Sequence, residues 1–119
     1  MAEIVDKRKH HRFLAMLKVH VLSGDQVPPD LALSTVDIAV GGARCASNKS
    51  LLEKTTLKLT FTLEGGDLRH PFPIELDARV LRCAEKSKTN ERHRYEVALQ
   101  FVRMDPQDRI RLQNYLNSL

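Results

Sequence analysis

The residues best suited to chemistry in this chain are cationic, and two of them are spaced to share one anion. Arg8 and Arg12 stand four residues apart in the run Lys7-Arg8-Lys9-His10-His11-Arg12, in which every residue is basic or can become so. A guanidinium is planar and permanently charged. Its fork of N–H donors matches phosphate oxygens or the O6/N7 edge of guanine with two parallel hydrogen bonds. Taken alone, such a run also reads as a solvated arm. A second constellation, Asp37-Ile38-Ala39-Val40-Gly41-Gly42, places a carboxylate where it can accept from an N–H edge. Its glycines permit close backbone approach or a positive φ. In isolation this segment is an ordinary hairpin turn.

Other chemistries find no support. The five histidines, His10, His11, His20, His70 and His93, do not pair at i, i+4 on a helix, and neither HExxH nor GxSxG occurs. His10-His11 has no carboxylate or cysteine at ligand spacing, so no metal site is expected. Gly65-Gly66 lacks the Lys-Ser/Thr of a phosphate-binding loop. Glu75 and Asp77 share the wet face of a strand and read as solvated charges, and His20 reads as a strand surface residue. Cys45 and Cys83 form no CxxC pair and are expected to be reduced, structural, half-buried thiols. The chain therefore reads as a non-enzyme with no cofactor.

These groups must be held by a single small domain. At 119 residues, 42% apolar and 29% charged, the chain has the balance of a packed globule with room for one core. Aromatic residues make up only 5%, so that core is expected to be thin. The start lacks a signal-peptide h-region and no apolar stretch approaches the roughly 20 residues of a membrane span, which leads to the expectation of a cytoplasmic protein without membrane insertion. The net charge of +4 makes an anionic partner plausible without requiring one. A second basic loop runs from Lys86 to Arg94.

Alternation of apolar and polar residues marks six strands. Leu17, Val19 and Val21 open the series, and Ser23 to Asp30, with Gly24 and Pro28-Pro29, is a turn. Strands follow at Leu31 to Ile38 and Ala43 to Ala46. Thr56 to Leu63 has the cleanest period, with Leu57, Leu59, Phe61 and Leu63 on one face. After the Glu64-to-Asp67 turn, Phe72 to Val80 forms a long strand whose start, at Pro71 and Pro73, belongs at an edge. Glu85 to Glu91 is a loop, and Tyr95 to Val102 the last strand. Asp105-Pro106 then caps a helix, with Asp108 in its first turn and Leu112, Tyr115, Leu116 and Leu119 as its apolar stripe. Short alternating strands in one domain favour a small antiparallel barrel or sandwich.

Together the two constellations resemble the PilZ family, whose pattern is RxxxR followed further along by (D/N)xSxxG. Arg8 and Arg12 match both arginines, Asp37 the acidic or amide position, and Gly42 the glycine; the serine position is Ala39. The strand order, the Val80-Leu81-Arg82 strand, the strand ending Gln100-Phe101-Val102 and the terminal helix are also similar to that family. The resemblance implies a mainly β fold, a six-stranded antiparallel barrel over 13–119 with a short C-terminal α-helix. It implies cyclic di-GMP as ligand on the outer surface, and residues 1–12 as a basic arm that orders over the ligand. Asp37 would accept from a guanine N–H edge, and Lys7 would add charge or influence how many ligand molecules stack. Ala39 removes a neutral hydrogen bond worth about 0.5–1.5 kcal/mol, so binding is expected to be weaker than with serine.

A ligand-gated adaptor in bacterial second-messenger signalling is thus the leading expectation, with a downstream protein partner that the sequence does not name. Its rival is a PilZ-like interaction module that does not bind nucleotide, for which Ala39 is the best argument. A nucleic-acid-binding barrel is disfavoured, because the few aromatic residues fall mostly on expected core faces and leave no stacking platform.

Overall fold

The computed structural model describes residues 13–24 and 26–119. Among the described residues there are seven strands, β1 (Phe13–Leu14), β2 (Lys18–Gly24), β3 (Leu33–Ile38), β4 (Gly42–Ser47), β5 (Thr56–Leu63), β6 (Phe72–Glu85) and β7 (Tyr95–Met104). The helix α1 (Pro106–Asn117) follows. The order β3-β2-β5-β6-β7-β4 returns to β3 through the β3–β4 ladder, so six antiparallel strands close into a barrel. Closure matters for so small a chain, because it leaves few strand edges to template pairing with another molecule. The expected mainly β, six-stranded barrel with a C-terminal helix is the fold found. The two-residue β1, lying on β3, is an element the alternation did not reveal.

The core follows the period of the strands. Leu57, Leu59, Phe61 and Leu63 of β5 point inward with Ile74, Leu76, Ala78 and Val80 of β6 and Val97 and Leu99 of β7. The ring of Phe61 meets that of Phe101 edge-on at 5.4 Å, the arrangement favoured by the ring quadrupoles. Cys45 is fully buried rather than half-buried, while Cys83 is half-buried as expected. Burial, together with the nearby negative charge of Asp37, pushes the Cys45 thiol up to about 12. The β6 strand begins beyond the reach of β7, whose last pairing is Met104 with Leu76, so Pro73 sits where its missing N–H costs no ladder bond on that side.

Several strands run past their expected ends. β2 continues through Ser23 to Gly24, and β6 continues to Glu85 because its partner β7 extends the ladder as far as Tyr95. The following loop contains a single 3-10 turn, Glu91–His93, whose cap is the Asn90 side chain.

The helix begins as its sequence dictates. The Asp105 carboxylate accepts from the Gln107 N–H at 2.8 Å, satisfying one of the first-turn donors, and Pro106 needs no partner there. Leu112, Tyr115 and Leu116 are buried against the barrel end, and the Tyr115 hydroxyl donates to the Glu64 carbonyl at 2.6 Å. Leu119, expected to complete the stripe, is 51% exposed. The helix stops at Asn117, so the i+7 position lies beyond the last turn.

Candidate functional site

Strict alternation would send Asp37 inward with Thr35, because the two are separated by one residue. A β-bulge prevents this. In the β3–β4 ladder Thr35 pairs with Cys45 and Asp37 pairs with Arg44, leaving Val36 as the extra residue. The slip keeps Thr35 and Ile38 in the core and turns Asp37 onto the outer wall beside Arg44. Re-aiming a side chain is what a bulge does physically. The buried Thr35 hydroxyl is satisfied by accepting from the Leu17 N–H at 2.7 Å and donating to the Ala15 carbonyl.

Asp37 is then clasped rather than solvated. Both Nε and an Nη of Arg44 reach its Oδ2, at 2.8 and 2.6 Å. The same guanidinium reaches Glu96 Oε1 on β7 at 3.3 Å, and the other oxygen of Glu96 lies 3.7 Å from His93 Nε2 in the 3-10 turn. The Asp37 side chain is 5% exposed and that of Arg44 is 40% exposed, so the pair has one buried and one wet member. The guanidinium lies between two carboxylates, Asp37 and Glu96, and balances one of the two charges. Neither Arg44 nor Glu96 was singled out by sequence reasoning. The available signal was Arg44 itself, a charged residue between the inward Ala43 and Cys45, but its pairing with Asp37 depends on the bulge.

The turn after Asp37 is built for close approach. The Ala39 N–H donates to the Gly42 carbonyl at 2.8 Å, and the Phe101 N–H to the Gly41 carbonyl at 2.9 Å. At Gly42, of the two roles left open for a glycine, close backbone approach is the operative one. A β-carbon at Gly42 would collide with the Leu99 carbonyl oxygen of β7. Ala39 is buried, so its methyl is shielded from open solvent.

Two cross-strand rows define the outer wall here. One runs Leu14, Asp37, Arg44, Ala98, Arg82 across β1, β3, β4, β7 and β6. The other runs Gly42, Gln100, Arg79 across β4, β7 and β6. Between Arg44 and Arg82, two strand spacings or roughly 10 Å apart, the wall is floored by the methyl of Ala98. Leu14 and Met16, 83% and 84% exposed, add an apolar rim at one end.

Of the six residues expected to form the site, Asp37, Ala39 and Gly42 are brought together at the end of β3 and the start of β4. Lys7, Arg8 and Arg12, with the arm that carries them, lie outside the described residues. The chain nevertheless enters the barrel at a fixed point. Phe13 pairs with Ile38 and Leu14 with Asp37. Arg12 is covalently joined to Phe13, with consecutive Cα atoms about 3.8 Å apart.

Among the described residues no three His, Cys, Asp or Glu side chains gather to hold a metal ion. No helix among them is long and apolar enough to cross a membrane.

Comparison with known proteins gives a consistent picture. The model of the PilZ domain matches residues 6–118. Among solved structures, the inhibitor of motility MotI/DgrA from Bacillus subtilis is similar at a TM-score of 0.74 and 22% identity. The similarity covers 95% of this chain but 51% of that one, so the chain spans about half the length of that protein. The PilZ domain of YcgR from Escherichia coli, solved with c-di-GMP, is similar at a TM-score of 0.66 and 14% identity, covering 96% of this chain and 92% of that one. At these identities the likeness shows the fold. No curated protein matches the chain.

Proposed function

The chain belongs to the PilZ domain family, and from that premise we propose that it is a non-catalytic receptor for cyclic di-GMP. The ligand lies on the outer wall at Asp37, Ala39 and Gly42, with Arg8 and Arg12 closing over it from the arm and Lys7 adding charge. The observation that carries this reading is the pairing of Phe13 with Ile38 and Leu14 with Asp37. Because Arg12 is bonded to Phe13, this supports bringing the arginine motif within reach of the glycine turn, although 25 residues of sequence separate Arg12 from Asp37. Such an anchor would give the two guanidinium forks a high effective concentration over the turn, which a motif in sequence alone does not ensure.

The chemistry of the parts suits the ligand. Arg8 and Arg12 would take phosphate oxygens and a guanine O6/N7 edge bidentately, with one plane free to stack on a base. Asp37, its charge shared with Arg44, would accept from a guanine N–H edge. Small residues at Gly42 and Ala98 leave the wall flat enough for a ring system to approach.

Binding would order the arm, and the ordered arm would form the surface that a downstream protein partner reads, in a soluble bacterial signalling pathway of the cytoplasm. This is a receptor-and-adaptor role, in which ordering entropy is spent at the moment of binding.

The test is a titration of cyclic di-GMP into the whole chain and its Arg8→Ala and Arg12→Ala variants. Each substitution is expected to cost at least about 1.5 kcal/mol of binding, the lower end for a hydrogen bond to a charged group, with no change in ligand-free melting. A variant that binds as tightly as the parent would remove that arginine from the site.

A further inference from the structure

Beside Gly42 the outer wall carries a second group of side chains suited to a nucleotide. A depression of about 470 Å³ is lined there by Glu53, Lys54, Arg79, Val80, Leu81 and Gln100. Its size falls within the range of about 300–1,000 Å³ usual for small-molecule sites.

Three features build it. The first is another bulge: Val80 pairs with Leu99 and Arg82 with Ala98, so Leu81 is the extra residue of β6. Arg79 and Arg82, which unbroken alternation would place on opposite faces, therefore both face outward, with Leu81 exposed between them. The second is the chain before β5, which is fastened onto that bulge. The Lys54 N–H donates to the Val80 carbonyl at 2.7 Å and the Val80 N–H to the Thr55 carbonyl at 2.8 Å. These bonds hold Lys54 at a φ of 70°, a left-handed conformation that costs a lysine energy and that recurs at ligand sites.

The third feature is charge. Arg44, Arg94 and Arg111 each have a carboxylate partner. Among the described residues Lys54, Arg79 and Arg82 have no ion-pair partner, and Glu53 is the sole acid lining the depression. Across the sheet the depression also neighbours the strand that carries Arg44. Arg79 pairs with Gln100 and Gln100 with Gly42, which has no side chain to interrupt the wall.

We propose that this depression is a guanine subsite that takes the far half of the cyclic dinucleotide whose near half lies at Asp37 and Arg44. The Glu53 carboxylate accepts from guanine N1–H and N2–H, the Arg79 guanidinium donates to O6 and N7, and Leu81 gives the ring face an apolar surface. Lys54 supplies a point charge for the adjoining phosphate. The assignment rests on the receptor reading above, and its test separates the two.

Cyclic di-GMP is titrated at fixed salt into the whole chain, into Arg79→Ala and Glu53→Gln, and into Arg69→Ala as a charge-matched control in the turn beneath α1. All three positions are exposed, so each variant should melt like the parent. Arg79→Ala is expected to lose about tenfold or more in affinity, Glu53→Gln about threefold or more, and Arg69→Ala less than about twofold. Binding by the parent with Arg79→Ala and Glu53→Gln unchanged overturns the subsite and leaves the receptor reading intact. An equal loss in Arg69→Ala reduces the effect to general charge and also overturns it. No binding by the parent overturns both.

Discussion

Gly42→Ala isolates the one site glycine whose role the geometry defines. The added methyl would collide with the Leu99 carbonyl oxygen and would lie 3.5 Å from the Leu99 carbonyl carbon and 3.6 Å from the Gln100 Cα. All three are backbone atoms of a central strand, so no flexible side chain can yield, and β4 and β7 must separate locally. Forcing a methyl into well-packed structure costs about 1–3 kcal/mol. The gain from restricting the unfolded chain, about 0.4–1 kcal/mol, offsets only part of that. Contact with three backbone atoms puts the cost in the upper part of its range and the net loss at about 1–2 kcal/mol, so at about 3–5 °C per kcal/mol for a domain of this size the melting temperature should fall by about 3–10 °C. Gly65→Ala is the contrast. Gly65 has a φ of +83° but nothing near a β-carbon, so its cost is confined to the left-handed backbone, roughly 1–2 kcal/mol. Thermal unfolding followed by circular dichroism reads both. A Gly42→Ala protein melting within about 1 °C of the parent would refute the close-approach argument, and with it the reason a glycine stands at that position.

Arg44→Ala should destabilise the fold by about 1–2 kcal/mol, less than the loss of a fully buried pair because the guanidinium is partly wet, and a double-mutant cycle with Asp37→Ala in urea should return a coupling above about 0.5 kcal/mol. Cys45, its thiol held near 12 against an ordinary 9.0, contributes stability that is complete below about pH 9 and declines from there towards pH 12, because the unfolded chain ionises first. The decline should be up to about 1.4 kcal/mol per pH unit and should shrink in Cys45→Ala, as read by urea midpoints at pH 8 and pH 10.5. Amide exchange in residues 6–12 should slow on addition of cyclic di-GMP, and equal exchange in both states would remove the proposed ordering of the arm.

What was legible in the sequence was local. The alternation of Leu57, Leu59, Phe61 and Leu63 needs no knowledge of neighbouring strands, and the Asp105-Pro106 cap acts within one turn of helix, so both were readable. The bulges at Val36 and Leu81 were not, because an extra residue is defined only against the partner strand. They decide which way Asp37 and Arg82 face. Hence Asp37 was identified by its motif while its clasp by Arg44 and the support from Glu96 went unseen. The full burial of Cys45 and the exposure of Leu119 were missed for a related reason: one depends on barrel closure by β3 and β7, the other on where the helix stops. Arg8, Arg12 and Lys7 were read from motif alone, and the titrations of Arg8→Ala and Arg12→Ala are what test the arginine roles.

The central claim is that this barrel binds cyclic di-GMP, and the most direct measurement is isothermal titration of that nucleotide into the whole chain, beside GTP and a single-stranded oligonucleotide at fixed ionic strength. The ionic strength must be held because contacts from charged arginines would make much of such an affinity electrostatic. The account predicts saturable binding of cyclic di-GMP at a micromolar or tighter Kd, tightened by up to about 1.5 kcal/mol in Ala39→Ser, with no comparable signal from the other two ligands. Absence of heat or spectral change for both the parent and Ala39→Ser would contradict it and leave the barrel as an interaction module that works without nucleotide.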